Sequence, residues 1–139
     1  MTESEAAAAP PVQARLLHMV FPDHTNHLGT LFGGQALAWM DMAAFIVASR
    51  YARSTVVTAR SEQVDFNQAV HKGDLVEVVA TIGKVGRSSM HVDVEVITED
   101  LLSGERKLCT RGRFVMVALD PLGQTAKVPP LPAALAASG

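Results

Sequence analysis

Between Gln35 and Ser49 the chain carries one ionisable side chain, Asp41, in a run otherwise dominated by Ala, Leu, Met, Trp, Phe, Ile and Val. Length and Ala/Leu/Met content predict a helix from Gly34 to about Arg50. It is apolar nearly all round, so it must be covered on most sides. A chain of 139 residues has surface to bury for one core, not two. The remaining residues therefore have to wrap this helix. Pro and small residues mark an N-terminal tail over residues 1–11 and a C-terminal tail over residues 129–139. The single folded domain then spans residues 12–128.

The wrapping material reads as strands. Val12 to Val20 is a first strand, weakened by Arg15 and His18. A loop dense in Pro, Asp, Asn and Gly follows, from Phe21 to Thr30. After the helix, Thr55 to Phe66 and Asp74 to Val85 are rich in Thr, Val and Ile. In the next segment Met90, Val92, Val94 and Val96 alternate with His91, Asp93 and Glu95. That alternation gives one dry and one wet face. Lys107 to Leu119 is the last strand. Turns at 84–87 and 103–105 are short enough for hairpins. One helix followed by four strands without intervening helices predicts an α+β fold with a largely antiparallel sheet curled around the helix. Its edges invite pairing with a second copy.

Composition excludes several tasks. Hydrophobic residues make up 48% and charged residues 19%, which is globular composition. The net charge is −2 without a block of like charge, which argues against nucleic-acid binding. Cys109 alone makes no disulfide framework or Cys-rich zinc site and fits a reducing compartment. The acidic start, Met1 to Glu5, has no apolar stretch behind it, and no run is long enough to span a bilayer. The expected location is cytoplasmic, with no membrane association.

Asp41 is the informative residue. A carboxylate on an apolar helix is costly unless it is bonded or paired. It is either a satisfied structural group or a tuned base or nucleophile. Gly33 and Gly34 stand at the helix entry, where free N–H groups and the positive dipole end favour an oxyanion, and paired glycines let a ligand approach. Asp41 lies seven residues after Gly34, two turns along the same face, about 10 Å away. That is long for one carbonyl served by both groups within one chain. A donor from another loop or from a second subunit would close the gap.

The run His24-Thr25-Asn26-His27-Leu28-Gly29-Thr30-Leu31-Phe32-Gly33-Gly34, with Trp39-Met40-Asp41 after it, resembles the hot-dog-fold acyl-CoA thioesterases, specifically the acyl-CoA hydrolase group with the YciA-type and brain-type enzymes. Val56-Val57-Thr58-Ala59, Asp65-Phe66, Lys72-Gly73-Asp74, Gly86-Arg87-Ser88-Ser89 and Phe114 to Asp120 match its pattern in order, so the resemblance covers roughly residues 16–130. It implies a five-stranded antiparallel sheet around one central helix, a homodimer as the minimal unit, and often a hexamer built as a trimer of dimers. It also implies hydrolysis of acyl-CoA to CoA and a carboxylic acid at the dimer interface, without a cofactor. Asp41 of one subunit would face Asn26 of the other and activate water or attack directly. Backbone N–H groups of Gly33 or Gly34 would polarise the carbonyl, and Asn26 would position water or the carbonyl. Arg87, Ser88 and Ser89 would contact the nucleotide part of CoA.

Alternatives within the fold are a hydratase or dehydratase acting on thioesters, or a non-enzymatic acyl-CoA-binding protein. The related hydratases pair their Asp with a His five residues on; here that position is Ile46. A binding module has no need of a carboxylate at the reacting carbonyl. No nucleophile elbow, phosphate-binding loop or dinucleotide fingerprint occurs. A metal site from Asp23, His24 and His27 lacks a second ligand cluster, so none is expected. His18 and His71 read as ordinary surface or loop residues, Arg111 and Arg113 as a solvated face or a partial phosphate patch, and Cys109 as a packed residue.

Overall fold

The structure is a computed structural model that describes residues 9–132. Strand β1 (Gln13–Met19) leads through a short 3-10 turn (Pro22–His24) to helix α1 (Gly33–Ala52). Four strands follow: β2 (Thr55–Phe66), β3 (Leu75–Val85), β4 (Ser89–Glu99) and β5 (Arg106–Leu119). They form one antiparallel sheet in the order β1-β3-β4-β5-β2. The elements expected from the sequence are all present, with ends displaced by up to three residues. Most of both expected tails, residues 1–8 and 133–139, lies outside the described residues.

The alternation in β4 works as expected. Met90, Val92, Val94 and Val96 point to the helix and are fully buried. The opposite face carries Asp93 and Glu95, which bond Arg113 at 2.9 Å and Arg111 at 3.1 Å. Arg106 bonds both Glu99 and Glu77 at 2.8 Å, and Arg15 reaches Glu77 at 3.0 Å. Of the two expectations for Arg111 and Arg113, the solvated face is the one realised. Each such exposed pair contributes little, because solvent screens it.

The inner face closes on α1. Gly112 of β5 is required there. A Cβ on it would lie 2.9 Å from Val64 Cγ2 and 3.2 Å from Met40 Cε. Val64 leans over it because β2 bulges between Glu62 and Asp65, where Gln63 takes a positive φ of 46°.

The helix is buried or half-buried on most sides, as expected, but its cover has a gap. Met40, Ala43, Ala44, Val47, Ala48 and Tyr51 face the sheet and are buried. The sheet is open, however, and its edge strands β1 and β2 leave a stripe of α1 uncovered. Gly34, Ala38, Met42 and Phe45 are exposed along it, Met42 at 53% and Phe45 at 43%. Five strands do not reach around a whole helix, so this apolar stripe stays open.

The ordered chain runs slightly past the expected boundary at residue 128. The Tyr51 hydroxyl donates to the Pro129 carbonyl at 2.7 Å, and Val128 is 3% exposed. The Val128 N–H donates to the carbonyl of Arg87 at 2.8 Å, tying this segment to the β3–β4 hairpin.

Candidate active site

The loop before α1 is built by its own polar groups. The Asn26 side-chain oxygen accepts from Leu28 N–H at 2.9 Å, Thr30 N–H at 3.2 Å and the Thr30 hydroxyl at 3.1 Å. Three donors on one oxygen fix the amide orientation. The NH2 end is the part of this side chain that these bonds leave unused. The Phe32 N–H bonds the His24 carbonyl at 3.0 Å and delivers the chain to the helix start. No side chain caps that start, and its first turn holds no acidic residue. The N–H groups of Gly33 and Gly34 precede the first intrahelical bonds and so have no acceptor within the helix. They lie at the positive dipole end of the helix, where negative charge is favoured.

Asp41 sits two turns along, half-buried at the border of the exposed stripe nearest β2. The Thr58 hydroxyl of β2 donates to its Oδ1 at 2.6 Å. This short charge-assisted bond fixes one carboxylate oxygen and leaves the other free. Sequence reasoning included Thr58 in a matching motif and gave it no role. Its hydroxyl acquires meaning only through the β2 register that points it at α1.

The site residues fall into three groups. Asn26, Gly33 and Gly34 lie together at the N-terminal end of α1. Asp41 and Thr58 lie midway along it. Arg87, Ser88 and Ser89 form the β3–β4 hairpin at the far end, where the Ser88 carbonyl accepts from Ala118 N–H at 2.9 Å. Within one protomer the helix start and Asp41 remain apart by the two turns that the sequence predicts.

His18 is more than a surface residue. Its ring stacks on Trp39 with centroids 4.2 Å apart, and the His24 ring meets the same indole edge-on at 5.1 Å. Burial and the neighbouring His24 hold the His18 pKa below its ordinary value. Among the described residues no three His, Cys, Asp or Glu side chains converge as metal ligands. His24 instead accepts the Phe21 N–H through Nδ1 at 3.1 Å.

The sequence profile of the thioesterase superfamily matches residues 28–105. An acyl-CoA thioester hydrolase of Zymomonas mobilis is 32% identical over 130 residues, 94% of this chain and 87% of that protein. The chain belongs to the thioesterase superfamily. It has that family's hot-dog architecture. The acyl-CoA thioester hydrolase YkhA of Bacillus subtilis is 42% identical over 110 residues, which are 79% of this chain and 64% of the longer relative. Acyl-CoA hydrolase from Staphylococcus aureus, solved with butyryl coenzyme A, superposes with a TM-score of 0.82 at 36% identity, covering 85% of this thioesterase-superfamily chain and 72% of that one. A hexameric acyl-CoA thioesterase superposes with a TM-score of 0.84 at 41% identity, covering 86% and 77%. The Staphylococcus aureus enzyme has also been solved with an Asn, an Asp and a Thr each replaced by Ala, at positions 15 and 17 residues apart. Asn26, Asp41 and Thr58 stand at the same two spacings.

Proposed function

We propose that this chain hydrolyses acyl-CoA thioesters to free CoA and a carboxylic acid, with Asp41 as the base. The observation that carries this is the Asp41 carboxylate, held by Thr58 at 2.6 Å on an otherwise apolar helix of a thioesterase-superfamily chain. Its free oxygen takes a proton from water, and the water oxygen attacks the thioester carbon. The oxyanion that forms accepts the N–H groups of Gly33 and Gly34, where fixed dipoles are worth most as charge develops. Collapse expels the CoA thiolate, which regains a proton to leave as the thiol. No cofactor enters the sequence.

The active unit is a homodimer. Helix start and Asp41 are too far apart in one protomer to serve one carbonyl. An antiparallel arrangement of two copies sets Asp41 against Asn26 of the partner subunit, whose NH2 end donates to the carbonyl or to water. Arg87, Ser88 and Ser89 contact the nucleotide end of CoA. The hexameric state of a solved relative supports a trimer of such dimers. No helix among the described residues is long and apolar enough to cross a membrane. The proposed setting is the cytoplasm, in the turnover of lipid-derived thioesters.

The test is free-thiol release from acyl-CoAs by wild type and Asp41→Asn. The exchange removes the base and keeps the shape, so turnover falls by about 10²–10⁴-fold with melting temperature nearly unchanged. Near-full turnover in Asp41→Asn would end the assignment.

A further inference from the structure

Beside the helix start lies a cavity of about 360 Å³, whose walls include Leu31, Ala36, Phe66 and Val70 and also the polar Asn67 and Gln68. Phe66 and Thr110 are register partners on β2 and β5 and face the helix side by side. The Phe66 ring rests against Gly33, whose position for a Cβ is 3.7 Å from Phe66 Cζ. Half of that aromatic surface, 53%, is still exposed and forms one wall. The floor is made of small residues, Ala36 at 3% exposure and Thr110 at 2%. Beyond them the core is closed: Met40 is fully buried, and Gly112 has Val64 and Met40 packed onto it.

We infer that this cavity takes the acyl chain of the thioester and that Phe66 and Ala36 set its length, a reading that rests on the thioester hydrolysis proposed above. A thioester whose carbonyl oxygen meets the helix start has two arms to place. The pantetheine arm is polar and leads to the charged nucleotide. The acyl arm is apolar and gains from leaving water, by about 0.8 kcal/mol per methylene. The cavity touching Gly33 has Leu31, Ala36, Phe66, Ala69 and Val70 among its walls beside the polar Thr30, Asn67 and Gln68, and its apolar side suits the second arm. Its volume is at the small end of ligand pockets. At roughly 30 Å³ per water-sized unit it holds no more than about a dozen carbons, and the open mouth claims part of that. The chain therefore prefers short to medium acyl groups.

The experiment is the thiol-release profile from acetyl- to palmitoyl-CoA for wild type, Phe66→Ala, Ala36→Val and, as a control, Leu17→Ala on the exposed outer face of β1. Wild type is expected to peak at or below octanoyl and to fall by about tenfold or more at palmitoyl, since one methylene is worth about that in a fitted pocket. Phe66→Ala moves the peak to longer chains, Ala36→Val to shorter ones, and Leu17→Ala leaves it in place. A wild-type peak at decanoyl or any longer chain overturns the inference. So do folded, active Phe66 and Ala36 variants with the wild-type profile, the result expected if a second subunit fills the cavity. Either result leaves thioester hydrolysis standing. Failure of wild type on every acyl-CoA overturns hydrolysis itself, and with it this inference. Phe66 is exposed, so its variant folds even where the buried Ala36 change does not.

Discussion

Asp41 and Thr58 show how much one hydrogen bond decides. A carboxylate on a mobile aspartate side chain would sample several rotamers; the Thr58 hydroxyl at 2.6 Å selects one. A bond to a charged group is worth about 1.5–3 kcal/mol when well formed, less where solvent screens it. Thr58→Val keeps the side-chain shape and removes the donor. It is expected to lower kcat by about tenfold or more with KM little changed, whereas Thr58→Ser restores most of the rate. Steady-state kinetics on one acyl-CoA check this, and a purely structural role would not separate Val from Ser in kcat alone. Asp41 was legible in the sequence because one charge in an apolar helix stands out. Thr58 was not, because a Thr in a Thr- and Val-rich strand has no local signal. Its role depends on which face of β2 meets α1, and the bulges in β2 set that face. Asn26 lies between these cases: the loop composition suggests a functional segment, but only the fold shows the three donors on its oxygen, which leave its NH2 end unused.

The elements were easier to read than their contacts. Strand alternation and a long apolar run are local patterns, so every strand and the helix could be placed from composition and periodicity. How elements meet is a tertiary fact. The stack of His18 from β1 on Trp39 from α1, with His24 edge-on from the loop, ties three segments into one corner. His18 Nε2 is buried there without a hydrogen-bond partner. The charged ring is thus disfavoured in the folded state, and its pKa lies below the ordinary 6.5. The sign follows from linkage. Above about pH 6.5 both states carry neutral His18 and the full stability is present. As pH falls below that value the unfolded chain takes up the proton first, so stability is lost down to the folded-state pKa. His18→Phe keeps the stack and removes the proton site. The drop in melting temperature between about pH 7.5 and about pH 5.5 should shrink in His18→Phe relative to wild type. Equal drops would remove His18 as a contributor.

At the scale of the whole molecule, the sheet is too narrow for its helix. Two half-exposed apolar side chains, Met42 and Phe45, lie on the uncovered stripe of α1, and Asp41 stands at its border. The edge strand β2 adds Val57, 43% exposed, and a row of unpaired backbone groups. A lone protomer would present this apolar stripe and this open edge to water beside Asp41, the proposed base. The stripe is as apolar as the covered faces of the helix, which is why the sequence suggests cover nearly all round, and the sheet of one chain leaves this part open. In the proposed dimer, covering the stripe and completing the site are one event, since a partner seated on α1 would bring its own helix start toward Asp41. A double Met42→Gln, Phe45→Gln variant weakens that seating without touching Asp41, Asn26 or the glycines. Its specific activity is expected to depend on protein concentration, falling on dilution as protomers separate and recovering at high concentration toward the wild-type value. Light scattering across the same dilution series should show mass and activity falling together. If the variant dissociates to protomers that keep full specific activity, one chain holds the whole site and the two-subunit arrangement is wrong.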